Sequence, residues 1–114
     1  MATGTITNTY VTPTTGSATI GSNISSSSYI NYSQFGKMVV FSGTIITTAA
    51  ISAGAVIMTG MPSASVVNAA IRATNNNSAN SYYDLLIDYT SLKAGGAGLP
   101  NGASIRVVGA YLTT

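Results

Sequence analysis

The chain has 114 residues, and only six of them are charged: Lys37, Arg72, Asp84, Asp88, Lys93 and Arg106. Globular domains carry charge at roughly a quarter of their positions, whereas this chain covers itself with Ser, Thr, Asn and Gly and has no Glu, His, Cys or Trp. Disulfides, thiolate metal sites and any Ser-His-Asp or Cys-His catalytic set are thereby excluded. Four basic residues scattered between positions 37 and 106 make none of the clustered Lys/Arg patches that nucleic-acid binding requires.

At this length the chain is expected to be one domain, residues 1–114, with a single core. A hydrophobic content of 46% argues against disorder. The segments rich in Thr, Val, Ile and Tyr are punctuated by Gly, Pro, Asn and Ser, and no long stretch holds a helical apolar period, so the expected fold is all-β. In chain order the expected strands are Thr3–Val11, Ala18–Ile24, Tyr29–Phe35, Lys37–Thr47, Val56–Thr59, Val66–Thr74, Tyr82–Tyr89 and Ile105–Thr113. These eight strands and their turns predict an antiparallel β-sandwich, jelly-roll-like. Residues 1–28, with the low-complexity run Thr12–Ser28, read as a partly mobile N-terminal arm or a linker from a longer fibre. Met1–Thr7 has neither the basic nor the apolar region of a secretory signal. The most apolar stretch, Ala49–Met58, is far short of the ~20 residues needed to span a bilayer, so no membrane insertion is expected.

Turns are expected at Ala50–Ala55 and at Leu99-Pro100-Asn101-Gly102, where Pro is preset for the second position of a β-turn. Asn75–Asn80 reads as a loop, because Asn tolerates the left-handed conformation that tight tips need. Gly95–Gly98 reads as a flexible linker.

Two strands depart from simple alternation. In Lys37–Thr47, Val39, Phe41 and Ile45 share one face while Met38, Val40 and Ile46 occupy the other. In Ile105–Thr113, Ile105, Val107 and Tyr111 oppose Val108 and Leu112. A strand that is apolar on both sides is covered on both sides. The second cover is either another subunit or a loop lying over a central strand.

Chemistry is scarce. The only carboxylates, Asp84 and Asp88, lie four positions apart on one expected strand, about 13 Å, beyond either glycosidase spacing. Their ordinary role is to stand solvated or to pair with Arg72, Arg106 or Lys93. No catalytic residue, metal site or cofactor is expected, and the chain does not read as an enzyme. Seven tyrosines offer rigid amphipathic contact surfaces. The densest polar and aromatic cluster is Asn75, Asn76, Asn77, Asn80, Tyr82 and Tyr83. Asn amides supply the donors and acceptor that match paired sugar hydroxyls, so this cluster is the candidate ligand-binding loop. The alternative is a solvated hairpin tip with Tyr83 in the core.

Three stretches carry a family resemblance. They are Tyr32-Ser33-Gln34-Phe35-Gly36-Lys37-Met38-Val39-Val40-Phe41-Ser42-Gly43, then Gly60-Met61-Pro62, then Leu99-Pro100-Asn101-Gly102 leading into Ile105-Arg106-Val107-Val108-Gly109-Ala110-Tyr111-Leu112-Thr113. Over residues 29–113 the chain resembles the C-terminal head domains of bacteriophage tail-fibre and baseplate receptor-binding proteins. The resemblance implies a β-sandwich in a homotrimer, joined to other tail or baseplate proteins at one end and to a host cell-surface saccharide at the other. It places the chain in the virion, facing outward, as a non-catalytic host-recognition module. Ser63-Ala64-Ser65 lacks the charged or aromatic residue often found after the Pro element, and no family binding residue maps onto this chain. Two other readings share the composition: a purely structural virion part such as a head fibre, decoration protein or tail connector module, and a carbohydrate-binding or adhesin domain of a bacterial surface protein.

Overall fold

The computed structural model of the protein describes residues 12–65, 69–78 and 81–114. The described residues form nine strands: β1 (Thr14–Ser17), β2 (Thr19–Ile20), β3 (Tyr29–Phe35), β4 (Met38–Ile46), β5 (Val56–Thr59), β6 (Ala69–Asn75), β7 (Tyr82–Asp88), β8 (Ser91–Ala94) and β9 (Ser104–Leu112). All pair antiparallel, in the order β1-β3-β4-β9-β6-β7-β8-β5-β2. The all-β expectation therefore stands. The expected sandwich takes a barrel-like form, because its two halves remain joined in one nearly closed sheet.

The halves meet at two seams. At the first, β9 pairs with β4 along its whole length but with β6 only through Thr74↔Arg106 and Asn75↔Ile105. At the second, the chain itself changes sides. β1 pairs with β3, β2 pairs with β5, and only Ala18 separates them. The Ala18 N–H donates to the Ile30 carbonyl (2.9 Å) and the Gly21 N–H to the Ile57 carbonyl (2.8 Å). Strands that switch sheets in this way form the corners of orthogonally packed β-structures. Residues 14–20 thus link the two ends of the sheet. The expected strand Thr3–Val11 and the start of Val66–Thr74 lie outside the described residues.

Alternation in the strands decides what fills the interior. Val39, Phe41 and Ile45 of β4 face inward beside Ile105, Val107 and Tyr111 of β9, with Leu85 and Ile87 of β7 and Leu92 of β8 completing the far wall. Ile30, Ile57 and Met58 add fully buried side chains. Each such side chain contributes about 1.5–3 kcal/mol on burial. Tyr111 closes the core at one end. Its hydroxyl donates to the Pro62 carbonyl (2.6 Å), and its ring lies 5.9 Å from that of Phe41 at 58°.

Loops at the opposite end are tied by two buried hydroxyls. Ser28 Oγ accepts the Ile46 N–H (2.8 Å). Thr47 Oγ1 donates to the Pro100 carbonyl (2.6 Å) and accepts the Ala103 N–H (2.9 Å). Gly95–Gly98 is a packed turn, correcting the expected linker. Gly95 and Gly98 are buried, the Gly98 N–H donates to Gly95 (3.1 Å), and Gly98 takes a positive φ of 66°.

Candidate functional site

Cross-strand register lays the outer surface out in rows. On the β1-β3-β4-β9 half, one row is Phe35–Met38–Leu112, the next Thr15–Ser33–Val40–Ala110, and the next Ser17–Asn31–Ser42–Val108. The last two rows, with the strand backbone between them, bound an open concavity of ≈ 860 Å³. Its lining, which includes Tyr32 and Phe41, is uncharged, and the Ser17 hydroxyl donates to Asn31 Oδ1 (2.7 Å) across the strands. Tyr29, Phe35, Met38, Val40, Val108 and Leu112 all stand exposed on this face, Val108 at 68%. No described loop lies over them, so the loop-cover reading of β4 and β9 does not hold for the described residues. Of the charged residues, only Arg106 lies on the strands of this face, at its margin, and Lys37 sits in the β3–β4 turn.

The charges gather on the outer face of the other half. Arg72 stands opposite Asp84, and Leu86 stands opposite Lys93, with Asp88 one row further on. Lys93 pairs with Asp88, which is the one ion pair among the described residues. The expected Lys–Asp pairing is thus present. Asp84 and Asp88 share the outer face of β7, and no group of three or more potential metal-ligating side chains occurs among the described residues.

The candidate cluster splits in space. Asn75 ends β6, and Asn76 and Asn77 form the tip of the β6–β7 hairpin. Their amides hold the loop together. Asn75 Oδ1 accepts the Asn77 N–H (2.9 Å), Asn76 Nδ2 reaches Ser104 Oγ (3.3 Å), and Asn77 Nδ2 reaches the Gly102 carbonyl (3.4 Å). Asn80 lies outside the described residues. Tyr83 turns inward, packs on the core and brings its hydroxyl within 3.5 Å of Asn75 Nδ2. Tyr82 turns outward, 54% exposed, with the Arg72 guanidinium 4.9 Å from its ring centroid. Of the six, Tyr82 is the side chain presented outward on a strand, while the described asparagines spend their amides on the hairpin and on the neighbouring Gly102 and Ser104.

Sequence reasoning missed the partners of Tyr82. Arg72, Arg106 and Tyr29 come from three other strands, and only the register brings them onto the same surface. A partial signal existed in the outward parity of Arg72 on its strand. No protein-family model matches this chain, and no curated protein matches it either.

Proposed function

We propose that this protein is a non-catalytic adhesion module of a bacteriophage tail fibre or baseplate. In this reading it assembles as a homotrimer and binds a host cell-surface saccharide. The observation that carries the proposal is the outer face of β1-β3-β4-β9, which combines an apolar row, an open uncharged concavity and almost no charge.

Five large apolar side chains, Phe35, Met38, Val40, Val108 and Leu112, stand partly exposed on this face and place on the order of 400 Å² in water, within the range for a monomer's largest patch. With the surrounding Ser, Thr and Asn, such a face approaches the ~800 Å² per partner of a standard interface. A second copy is the fitting cover. The face bears no acid to clash with its own image, and its hydroxyls and amides provide both donors and acceptors. The number three comes from the resemblance to receptor-binding heads. A neutral polar exterior also suits work outside the cell, where contacts between uncharged groups are little affected by salt.

Sedimentation equilibrium at micromolar concentration is expected to give the mass of three chains, and the purified protein is expected to block phage adsorption to host cells. A single-chain mass would refute the assembly. A trimer that neither binds host polysaccharide nor blocks adsorption would leave a purely structural virion part as the better reading.

A further inference from the structure

One row on the outer surface crosses the seam between the two halves. Register places Tyr29 beside Thr44, Thr44 beside Arg106, Arg106 beside Thr74, and Thr74 beside Tyr82. Five strands thus contribute Tyr, Thr, Arg, Thr and Tyr in line, a span of about 19 Å at ~4.8 Å per strand. Arg72 flanks the row, stacked on Tyr82. The row lies six residues along β4 from the apolar Phe35–Met38–Leu112 row, about 20 Å, so covering that apolar row leaves this one free.

Nothing in the fold requires these side chains to be where they are. Tyr29 and Tyr82 are about half exposed and take no part in the core. Arg106 is exposed and has no carboxylate within ion-pair distance among the described residues. Asp84, opposite Arg72, is the one acid on the adjoining strands near the row, which leaves the group with net positive charge. Arg is the side chain suited to paired hydrogen bonding with a carboxylate or phosphate. Tyrosine rings provide flat apolar surfaces with a polar tip for the faces and hydroxyls of sugars. The cation–π contact holds Arg72 against Tyr82 before any ligand arrives.

We infer that the row Tyr29–Thr44–Arg106–Thr74–Tyr82 binds an anionic saccharide, with sugar rings on the two tyrosines and the acidic group on Arg106, assisted by Arg72. The inference rests on the adhesion reading and specifies the ligand class for it.

The test measures binding of the full chain to polygalacturonate, phosphomannan and neutral mannan by biolayer interferometry. Binding to at least one anionic polymer is expected, and the preferred polymer tells whether carboxylate or phosphate is recognised. Arg106→Gln is expected to weaken it by roughly tenfold or more, the loss typical of a charge-assisted hydrogen bond. Tyr29→Ala and Tyr82→Ala should each weaken it by several-fold, and Lys37→Gln should leave it unchanged. Circular dichroism checks that each variant is folded, and the two tyrosine variants decide the matter if Arg106→Gln is not. Equal binding to mannan with no effect of Arg106→Gln would overturn the anionic row while leaving saccharide adhesion intact. Failure to bind any of the three polymers overturns the row, and failure to block adsorption to host cells as well removes the adhesion reading with it.

Discussion

Tyr32 and Phe41 face each other across β3 and β4, and each ring lies toward a glycine on its outer neighbour strand. The inward row reads Gly16–Tyr32–Phe41–Gly109. A Cβ on Gly109 would stand 2.7 Å from Phe41 Cζ, and one on Gly16 would run into the Tyr32 hydroxyl. Two bare positions therefore make room for two aromatic rings in adjacent strands. This is the small-beside-large pattern by which aromatics cover sheet glycines.

Gly109→Ala and Gly16→Ala are each expected to destabilise the fold by about 1–3 kcal/mol, the usual cost of overpacking a well-filled interior. Gly109→Ala should cost more, because Phe41 is buried and Tyr32 only half-buried. Urea denaturation midpoints measure both. A neutral Gly109→Ala would show that Phe41 has room to turn aside.

Thr47 is the tie between the β4 end and the Leu99–Gly102 turn. Thr47→Val preserves shape but removes the acceptor for the Ala103 N–H and the donor to Pro100. The buried N–H is left without its partner, so a loss of about 2 kcal/mol is expected. The loss should be accompanied by faster amide exchange at Ala103. Unchanged exchange there would mean the hydroxyl is not what holds the turn.

Tyr111 links stability to alkaline pH. Burial, and secondarily the nearby Tyr32, push its pKa from 10.0 up to about 12. The folded chain keeps a proton that the unfolded chain gives up, so rising pH favours unfolding in that window. The contribution is complete below pH 10 and is lost as the pH climbs through about 12. Tyr111→Phe should lose roughly 1 kcal/mol at neutral pH with the Pro62 hydrogen bond, yet show a flatter decline of stability above pH 10. Parallel declines for the two proteins would contradict this assignment.

Met38 and Leu112 sit side by side in the apolar outer row. Met38→Asp and Leu112→Asp together place carboxylates where copies are proposed to meet, without touching the core. The double variant is expected to sediment as one chain while keeping the circular dichroism and urea midpoint of an intact fold. A persistent oligomer would move the interface elsewhere.

Much of the fold could be read from the residues. The bounds of Tyr29–Phe35 and Val56–Thr59 agree with β3 and β5, and the two-sided apolar pattern of β4 and β9 correctly marked an outer face rich in Met38, Val40, Val108 and Leu112. Two strands escaped for opposite reasons. β1 lies in a Thr-Thr-Gly-Ser run that is mostly exposed, so it shows no apolar alternation. β8 follows the turn at Tyr89-Thr90, which contains no Gly, Pro or Asn to signal it, although Tyr89 takes a positive φ of 53°. Gly95–Gly98 looked like a linker because glycine serves tight packing as well as freedom; a Cβ on Gly95 would collide with the backbone of Asp84. The candidate loop was legible as a loop, but local composition does not say whether Asn amides face a ligand or hold their own turn. The Tyr29–Tyr82 row was out of reach, because it depends on pairing among five strands that are distant in the chain.

The passage through Ala18 has a consequence for how the molecule is handled. One short ribbon screens both β3 and β5 from further pairing. Removing the chain through Ile20 would strip two backbone ladders at once, and exposed ladders of this kind are templates for fibrillar stacking. A polar, uncharged ribbon therefore acts as the protein's safeguard against aggregation.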